Sequence, residues 1–420
     1  MVEQTMQGEP PITRCCIVGG GPAGMMLGFL LARAGIDVVV LEKHKDFLRD
    51  FRGDTIHPST LEIMHELGLL EEFLKLPHQE VRHLTGQIGD AQVRIADFSH
   101  LPTTCKFIAL MPQWDFLNFL AVRRERYPGF QLRMEAEVTD LVQDGERVVG
   151  VRGNDPTGTF EVRAHVVIGA DGRHSVVRAR GGLEVDDLGA PMDVLWMRLP
   201  RRAKDGEETL GRIEIGRLFV RLNRGDYWQC ALVIPKGSAE EIRRRGLPAF
   251  RDTIAEVAPF ARDRLHELKS WDDIKLLTVT VDRVRQWYRP GLLCIGDAAH
   301  AMSPIGGVGI NLAIQDAVAA ANVLADPLAH GTVSVDHLRA VQRRREFPTR
   351  ATQWLQLTVQ NRFLRGVLAG TTKPAVPWPL RLIQRLPVLQ RIPARLIGVG
   401  IRPEHVRTPA NSEWRVANSE

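Results

Sequence analysis

The sequence lacks any uninterrupted apolar run of the length, about eighteen residues or more, that reads as a membrane-spanning helix. Its opening residues, MVEQTMQGEPP, carry neither the basic nor the apolar region of a secretory leader, so the expectation is a cytoplasmic chain. Cysteine is scarce, with five in 420 residues. Cys15 and Cys16 are adjacent and the others far apart, which excludes a C-x-x-C metal or redox site and an even disulfide framework. No metal is expected. Tyrosine is scarcer still, at three. Also missing are the aromatic-rich RNA motif, the helix-turn-helix and the zinc-finger spacing, which leaves no case for a nucleic-acid partner.

What is present is ordinary globular material, 44% apolar and 25% charged, long enough for a large core and two intertwined domains. The net charge of +5 is unevenly spread. Arg339 to Arg407 holds 14 Lys or Arg against Glu346 and Glu404, a local +12 that leaves −7 for the rest. Such a block fits an anionic surface, or an acidic body of the same protein.

Strand and helix signals alternate through the first third, which predicts an α/β layer with a parallel sheet. Arg14 to Gly19 reads as a buried strand, residues 22 to 34 as a helix capped by Gly35, and Asp37 to Glu42 as the next strand. Another helix is expected from near Pro58 to Gly68. From about Arg82 to Phe98, and from about Asp193 to Pro235, short alternating segments predict antiparallel strands. The α/β signals resume at Gly291 to Gly296, followed by an Ala-rich helix from about Asn311 to Ala325, stopped by Asp326-Pro327. The expected fold is therefore a discontinuous Rossmann-like α/β domain (1–80, 100–190 and 275–345), an inserted antiparallel substrate sheet (81–99 and 191–274) and a helical basic C-terminus (346–420). The Pro-rich run Lys373 to Pro379 is the expected linker.

Gly19-Gly20-Gly21-Pro22-Ala23-Gly24 fits G-x-G-x-x-G directly after a strand and at the opening of a helix. There Gly19 permits the tight turn, Gly21 admits a pyrophosphate and Gly24 lets helix and strand pack closely. Glu42 ends the second strand, where an acid can accept from a ribose hydroxyl. The motif predicts an adenine dinucleotide without separating FAD from NAD. Two later strands also end in aspartate, at Asp171-Gly172-Arg173-His174-Ser175-Val176-Val177-Arg178 and at Gly296-Asp297-Ala298-Ala299-His300. Both lie at carboxyl ends, where open α/β sheets hold ligands, and an extended FAD offers ribityl hydroxyls for them to bind. In Pro304-Ile-Gly-Gly-Val-Gly-Ile-Asn311, Gly307 and Gly309 let the backbone approach a flat ring, and the helix beginning near Asn311 turns its positive end toward it.

With these three motifs in order, residues 12 to 345 resemble the FAD-dependent aromatic hydroxylases of the para-hydroxybenzoate hydroxylase type, the group A flavoprotein monooxygenases. The resemblance implies that Gly19, Gly21, Gly24 and Glu42 hold the ADP half of FAD and that Val138 supplies backbone contacts to the adenine. The Asp171-Gly172 segment, with Ser175 and Arg178, would serve FAD and NAD(P)H, and Asp297 the ribityl chain. Arg52 matches an arginine near the flavin and Gln113 a cofactor-contacting glutamine. It further implies that NAD(P)H docks transiently, since no second glycine motif is visible. By the same resemblance, molecular oxygen would add to reduced flavin, and the hydroperoxide would hydroxylate an aromatic substrate of phenolic, quinoid or polyketide-like type.

Arg52, His57 and Pro304 are the catalytic candidates, with His57 and His300 able to titrate near neutrality. The tyrosine pair of the para-hydroxybenzoate enzyme has no counterpart among Tyr127, Tyr227 and Tyr288. Trp196, Arg221 and Trp228 lead the candidates for the substrate wall, beside Arg198, Arg212 and Phe219. Arg381, Arg385, Arg391 and Arg395 recur among Leu, Ile and Val, interrupted by Pro387 and Pro393. Leu380 to Val399 is thus a candidate peripheral membrane contact. The oligomeric expectation is a monomer or homodimer. Three rival readings share part of the pattern: a polyprenyl-lipid reductase, a flavin halogenase and a flavin-binding protein without turnover. The halogenase W-x-W-x-I-P signature is only shadowed by Trp228 to Pro235, which lacks the paired tryptophans.

Overall fold

The computed structural model describes residues 12–48, 55–206, 210–370 and 375–410; Arg52 lies outside the described residues. The apolar run Ile12–Val18 forms β1, its last four residues buried. The chain turns through Gly19–Gly21 into helix α1 (Pro22–Arg33) and returns as β2 (Val38–Leu41), parallel to β1 with Cys15 opposite Val38 and Val18 opposite Leu41. Ala23 through Ala32 of α1 are all buried, as a helix apolar on every side must be. Gly35, at φ +82°, supplies the left-handed step that lets the chain leave α1.

Next come β3 (Thr55–Ile56), α2 (Pro58–Glu66), the hairpin β4 (His83–Ile88) and β5 (Ala91–Asp97), and β6 (Ile108–Leu110), which pairs with β3. Helix α3 (Gln113–Arg123) leads to β7 (Phe130–Arg133), parallel to β2. Strands β8 (Glu137–Asp144), β9 (Arg147–Asp155) and β10 (Gly158–Gly169) form an antiparallel meander, and the long β10 continues along β1 in parallel. A short helix, α4 (Val176–Arg180), follows.

The second sheet is then built from β11 (Met192–Pro200), β12 (Leu210–Glu214), β13 (Arg217–Asn223) and β14 (Tyr227–Pro235), followed by α5 (Leu247–Val257) and β15 (Ile274–Leu277). Its order is β15-β11-β14-β13-β12-β4-β5, antiparallel except where β12 meets β4. Alternation gives it two apolar faces. Leu195, Met197, Leu199, Phe219, Trp228, Cys230 and Leu232 pack with Phe250, Ile254 and Val257 of α5. Val194, Trp196, Leu218, Val220, Ala231 and Val233 share the other cluster with Ile305, Leu357, Phe363 and Leu364.

Strand β16 (Leu292–Cys294) returns to the first sheet beside β10, giving the parallel order β16-β10-β1-β2-β7. Helices α6 (Gly309–Ala329) and α7 (Val335–Val359) follow. The apolar stretch Ile305–Ala329 is long enough to cross a membrane, yet 83% of its most apolar window is buried inside the protein, where it packs on α1. Two expectations need correction. Pro327 does not stop α6; it sits two residues before the end, where its missing N–H removes a single backbone bond. The expected boundary after residue 345 falls inside α7, which runs on through Pro348.

Helices α8 (Trp378–Arg385) and α9 (Arg391–Gly398) rest on β5, so Trp378 and Pro379 belong to a helix rather than to the expected linker. Residues 402–408 then strap the nucleotide half. Arg345 Nη1 donates to Arg402 O, Glu66 accepts from His405 Nδ1 and Val406 N, Asn322 bonds His405 O and Arg407 N, and Arg33 Nη1 donates to Thr408 O at 2.8 Å.

Candidate active site

The glycine turn after β1 is shaped by contacts that exclude side chains at Gly19, Gly20 and Gly24 and leave Gly21 open. Gly19 has φ +105°, and a Cβ there would lie 2.4 Å from Ala170 O. A Cβ at Gly24 would lie 1.9 Å from Gly19 O. Gly21 has nothing within 4 Å of its Cβ position. It precedes a helix whose first N–H groups have no side-chain cap and whose N1 residue is Pro22. Open space beside free N–H groups at a helix N-terminus fits a pyrophosphate. Glu42 is buried beside it, accepting from Gly20 N at 2.9 Å and from His44 N at 3.0 Å. Ala136 N donates to Glu42 O, which starts β8 at this end and brings Val138 to the same side.

The second motif behaves differently from expectation. Both oxygens of Asp171 turn inward, accepting from Ser175 Oγ at 2.5 Å, Val176 N at 2.8 Å and Val177 N at 3.2 Å. Burial holds this carboxyl above its ordinary range against the hydrogen bonds that lower it. Asp171 joins the N-cap residue Ser175 in satisfying the first N–H groups of α4, which need acceptors. Its loop is tied to the third motif by Arg178, which donates to Arg173 O and Ala298 O and pairs with Asp282, and by Arg173 Nη2, 3.4 Å from Asp297 Oδ2. Asp297 keeps about a third of its side chain exposed and faces outward from the end of β16.

Beneath it lies a buried charge network. Asp316 accepts from Gly296 N and Arg345 Nε and lies 2.6 Å from His300 Nε2, while Arg345 reaches Glu404. Burial would raise the Asp316 carboxyl, but His300 and Arg345 hold it below the ordinary range. His300 is packed against Trp287 and is a core residue, not a base open to substrate.

The Pro304–Gly309 turn approaches β3. Gly306 and Gly307 have φ +77° and +63°, and Thr55 Oγ1 donates to Gly307 O at 2.9 Å. Pro304 and Ile305 are half-buried beside the turn and Gly309 opens α6. Gln113, half-buried, opens α3 just beyond β6, the partner of β3. Asn311 departs from expectation: its Oδ1 accepts from His57 N and Thr60 Oγ1, and its Nδ2 donates to Thr55 O and Gly307 O. All four hydrogen-bonding positions of the Asn311 side chain are used within the protein, so that side chain shapes the turn. His57 departs too. Its ring is fully buried, Nδ1 lies 2.7 Å from Ile397 O, and burial lowers its pKa to about 4. A neutral, weakly basic imidazole held by a C-terminal carbonyl is not a base for substrate activation.

Of the substrate candidates, Trp196 alone shares a cluster with Ile305. Trp228 lies on the opposite face, fully buried, with Nε1 donating to Asp205 Oδ2 at 3.1 Å. Arg221 stacks over Trp228 and Phe260 there. Strand parity puts both away from the turn.

Residues 12–355 match a family described as FAD binding domain. The chain belongs to this FAD-binding family. The 6-methylpretetramide 4-monooxygenase of Streptomyces rimosus is 32% identical over 411 residues, 96% of each chain. The anhydrotetracycline hydroxylase of the same organism superimposes with a TM-score of 0.70 at 25% identity, covering 92% of this chain and 76% of that one. A probable FAD-dependent monooxygenase of Pseudomonas aeruginosa shares the fold, with a TM-score of 0.72, 23% identity and coverage of 86% and 99%. The protein is an FAD-dependent aromatic monooxygenase, and this reading stands over lipid reduction, halogenation and flavin binding without turnover.

Sequence reasoning missed one set of residues in this monooxygenase. Gln353, Gln356 and Gln360 are buried along one side of α7 and the π turn that follows it. Their Nε2 groups donate to Ala301 O, to Ser303 O and Ile305 O, and to Ser303 Oγ respectively. The stretch between Asp297 and the glycine turn is bonded in part by residues 282–284, through Val284 N to Ala299 O and Asp282 N to Ala301 O, and these amides satisfy the carbonyls that follow. The signal was readable: amides spaced three and four apart in Gln353-Trp-Leu-Gln-Leu-Thr-Val-Gln360, alternating with apolar residues.

Proposed function

We propose that this monooxygenase hydroxylates a fused-ring, polyketide-like aromatic molecule, taking its reducing equivalents from NAD(P)H. One observation carries the substrate class. The sheet face turned toward Ile305 presents Val194, Trp196, Leu218, Val220 and Ala231, a broad apolar wall. Such a wall suits a flat, extended ring system better than a small charged acid. Similarity to a 6-methylpretetramide monooxygenase supports the same class.

Bound FAD supplies the oxygen-activating chemistry. Gly19, Gly21, Gly24, Glu42 and Val138 are assigned to its ADP half and Asp297 to the ribityl chain. Pro304, Gly307 and Gly309 are assigned to the backbone beside the ring, with Gln113 and, by resemblance, Arg52. Asp171 and Asn311 act by fixing the loops that carry these groups. Trp196 is assigned to the substrate wall and Ile305 to the point where wall and turn meet. Water is excluded from the reacting ring by apolar side chains.

The reading includes a cytoplasmic location, supported by five buried free thiols. It also includes a monomeric or homodimeric state and a peripheral membrane contact through Leu380 to Val399. The experiment for the substrate is oxygen uptake by the FAD-loaded protein with NADH or NADPH across phenols, quinones and polycyclic aromatics, with products weighed. Uptake stimulated by a polycyclic compound that gains one oxygen atom supports the reading. Stimulation confined to single-ring acids removes it.

A further inference from the structure

Helices α8 and α9 turn one side to β5 and leave the other to solvent. On the inner side Gln384 donates to Arg94 O, Ala394 is fully buried, and the Cα of Gly398 comes so near Leu101 that a Cβ would lie 2.9 Å from it. On the outer side large apolar residues recur every four positions: Trp378 (75% exposed), Leu382 (42%) and Leu386 (49%) in and after α8, then Val388 (58%), Ile392 (59%) and Leu396 (36%) through α9. A four-residue repeat is one stripe of a helix. Single exposed apolar side chains need no explanation, but six in two ordered rows do.

The charge on this surface has one sign. Arg381, Arg385, Arg391 and Arg395 are exposed beside the apolar rows. No Asp or Glu occurs between residues 347 and 403, where nine Lys and Arg do. The acids at either end are already engaged, Glu346 by Arg350 and Glu404 by Arg344 and Arg345. A second copy of the chain fits poorly, because a two-fold contact would set one row of arginines against its own image. A partner recognised by charge alone leaves six apolar side chains unexplained.

We infer that the outer faces of α8 and α9 form a docking surface for an anionic lipid bilayer, the apolar rows entering the headgroup boundary and the arginines pairing with lipid phosphates. This rests on the peripheral-contact reading of Leu380 to Val399 and deepens it by naming the lipid charge and the contact residues. Helices with arginine beside Trp and Leu lie in the interface plane in this way. The opposite side of α9 supplies the carbonyl of Ile397 that holds His57. The docking surface and the segment before α2 are therefore back to back across one helix, and a lipophilic aromatic dissolved in the bilayer meets the protein beside its site.

The test is flotation of the full-length, FAD-loaded protein with phosphatidylcholine vesicles, with and without phosphatidylglycerol. Wild type is expected to float with the anionic vesicles and to be released by high salt. Replacing all four arginines with Gln is expected to lower vesicle binding by about fivefold per arginine. Trp378→Ala with Leu382→Ala is expected to abolish flotation. FAD content and melting temperature show that the variants are folded. Equal flotation with neutral vesicles overturns the anionic assignment, and recovery in the soluble fraction with both overturns membrane contact altogether. A concentration-dependent dimer that is lost in Trp378→Ala, without flotation, assigns the face to a second copy and overturns the inference. Turnover of a soluble aromatic without vesicles reads the monooxygenase assignment separately.

Discussion

The side-chain amide of Gln356 donates to Ile305 O at 2.9 Å and, through the same nitrogen, to Ser303 O at 3.0 Å. Carbonyls only accept, so the orientation of this amide is fixed, and helix α7 grips the segment that leads into the glycine turn. Replacing Gln356 with Leu strands two carbonyls. The variant is expected to lose about 1–3 kcal/mol of stability. It is also expected to release more hydrogen peroxide per NAD(P)H consumed, because the turn no longer holds its place against the substrate wall. Melting temperature and peroxide yield check the two effects separately. Unchanged peroxide yield with lowered stability would mean that the amide acts on folding alone.

The two glycines at the start of α1 should fail differently. Gly24→Ala puts a Cβ 1.9 Å from Gly19 O and is expected to weaken the fold even without cofactor. Gly21→Ala meets nothing within 4 Å, so the chain should fold and yet bind FAD weakly. Apoprotein melting together with the FAD dissociation constant distinguishes the two. Equal FAD affinity in Gly21→Ala and wild type would remove the pyrophosphate assignment.

His57 should make stability depend on pH. Its folded pKa is lowered to about 4 from an ordinary 6.5. Between these values the unfolded chain binds a proton that the folded protein refuses, so stability falls as pH drops from 6.5 toward 4. The loss approaches about 3 kcal/mol at the acid end. His57→Gln should flatten this part of the stability profile, measured by urea unfolding across that range. A slope that survives the substitution would assign it to other groups. Asp316, held below the ordinary carboxylate range, contributes in a lower window, where stability is lost as pH falls through its folded pKa.

The two faces of the second sheet predict a division of effects. Trp228→Ala empties a fully buried site and is expected to cost about 3–5 kcal/mol with little change in KM. Trp196→Ala, on the face shared with Ile305, is expected to raise KM for the aromatic substrate several-fold. Steady-state kinetics on both variants, with melting temperatures, tests this. A KM change in Trp228→Ala alone would invert the assignment of faces.

Much of the cofactor half was legible in the sequence because its demands are local. Gly19, Gly21 and Gly24 are each required by a backbone approach within a few residues, and Glu42 by the strand that carries it. The rest depended on partners far along the chain. Asp171 reads as a ligand until Ser175 and the first turn of α4 are seen to engage both its oxygens. Asn311 and His57 are bound by residues more than two hundred positions away, at Thr55 and Ile397. Alternation limited the choice for Trp196 and Trp228 to one face or the other, and only the partners packed on each face, α5 on one and Ile305 with the end of α7 on the other, decided between them.

The strap of residues 402–408 carries a consequence for how the polypeptide is made. Glu404, His405, Val406 and Thr408 engage Arg344 and Arg345 of α7, Glu66 of α2 and Arg33 of α1. A chain emerging from the ribosome presents α1 and α2 more than three hundred residues before this segment, so the nucleotide half stays unlatched until residues 402–408 have been made and have docked.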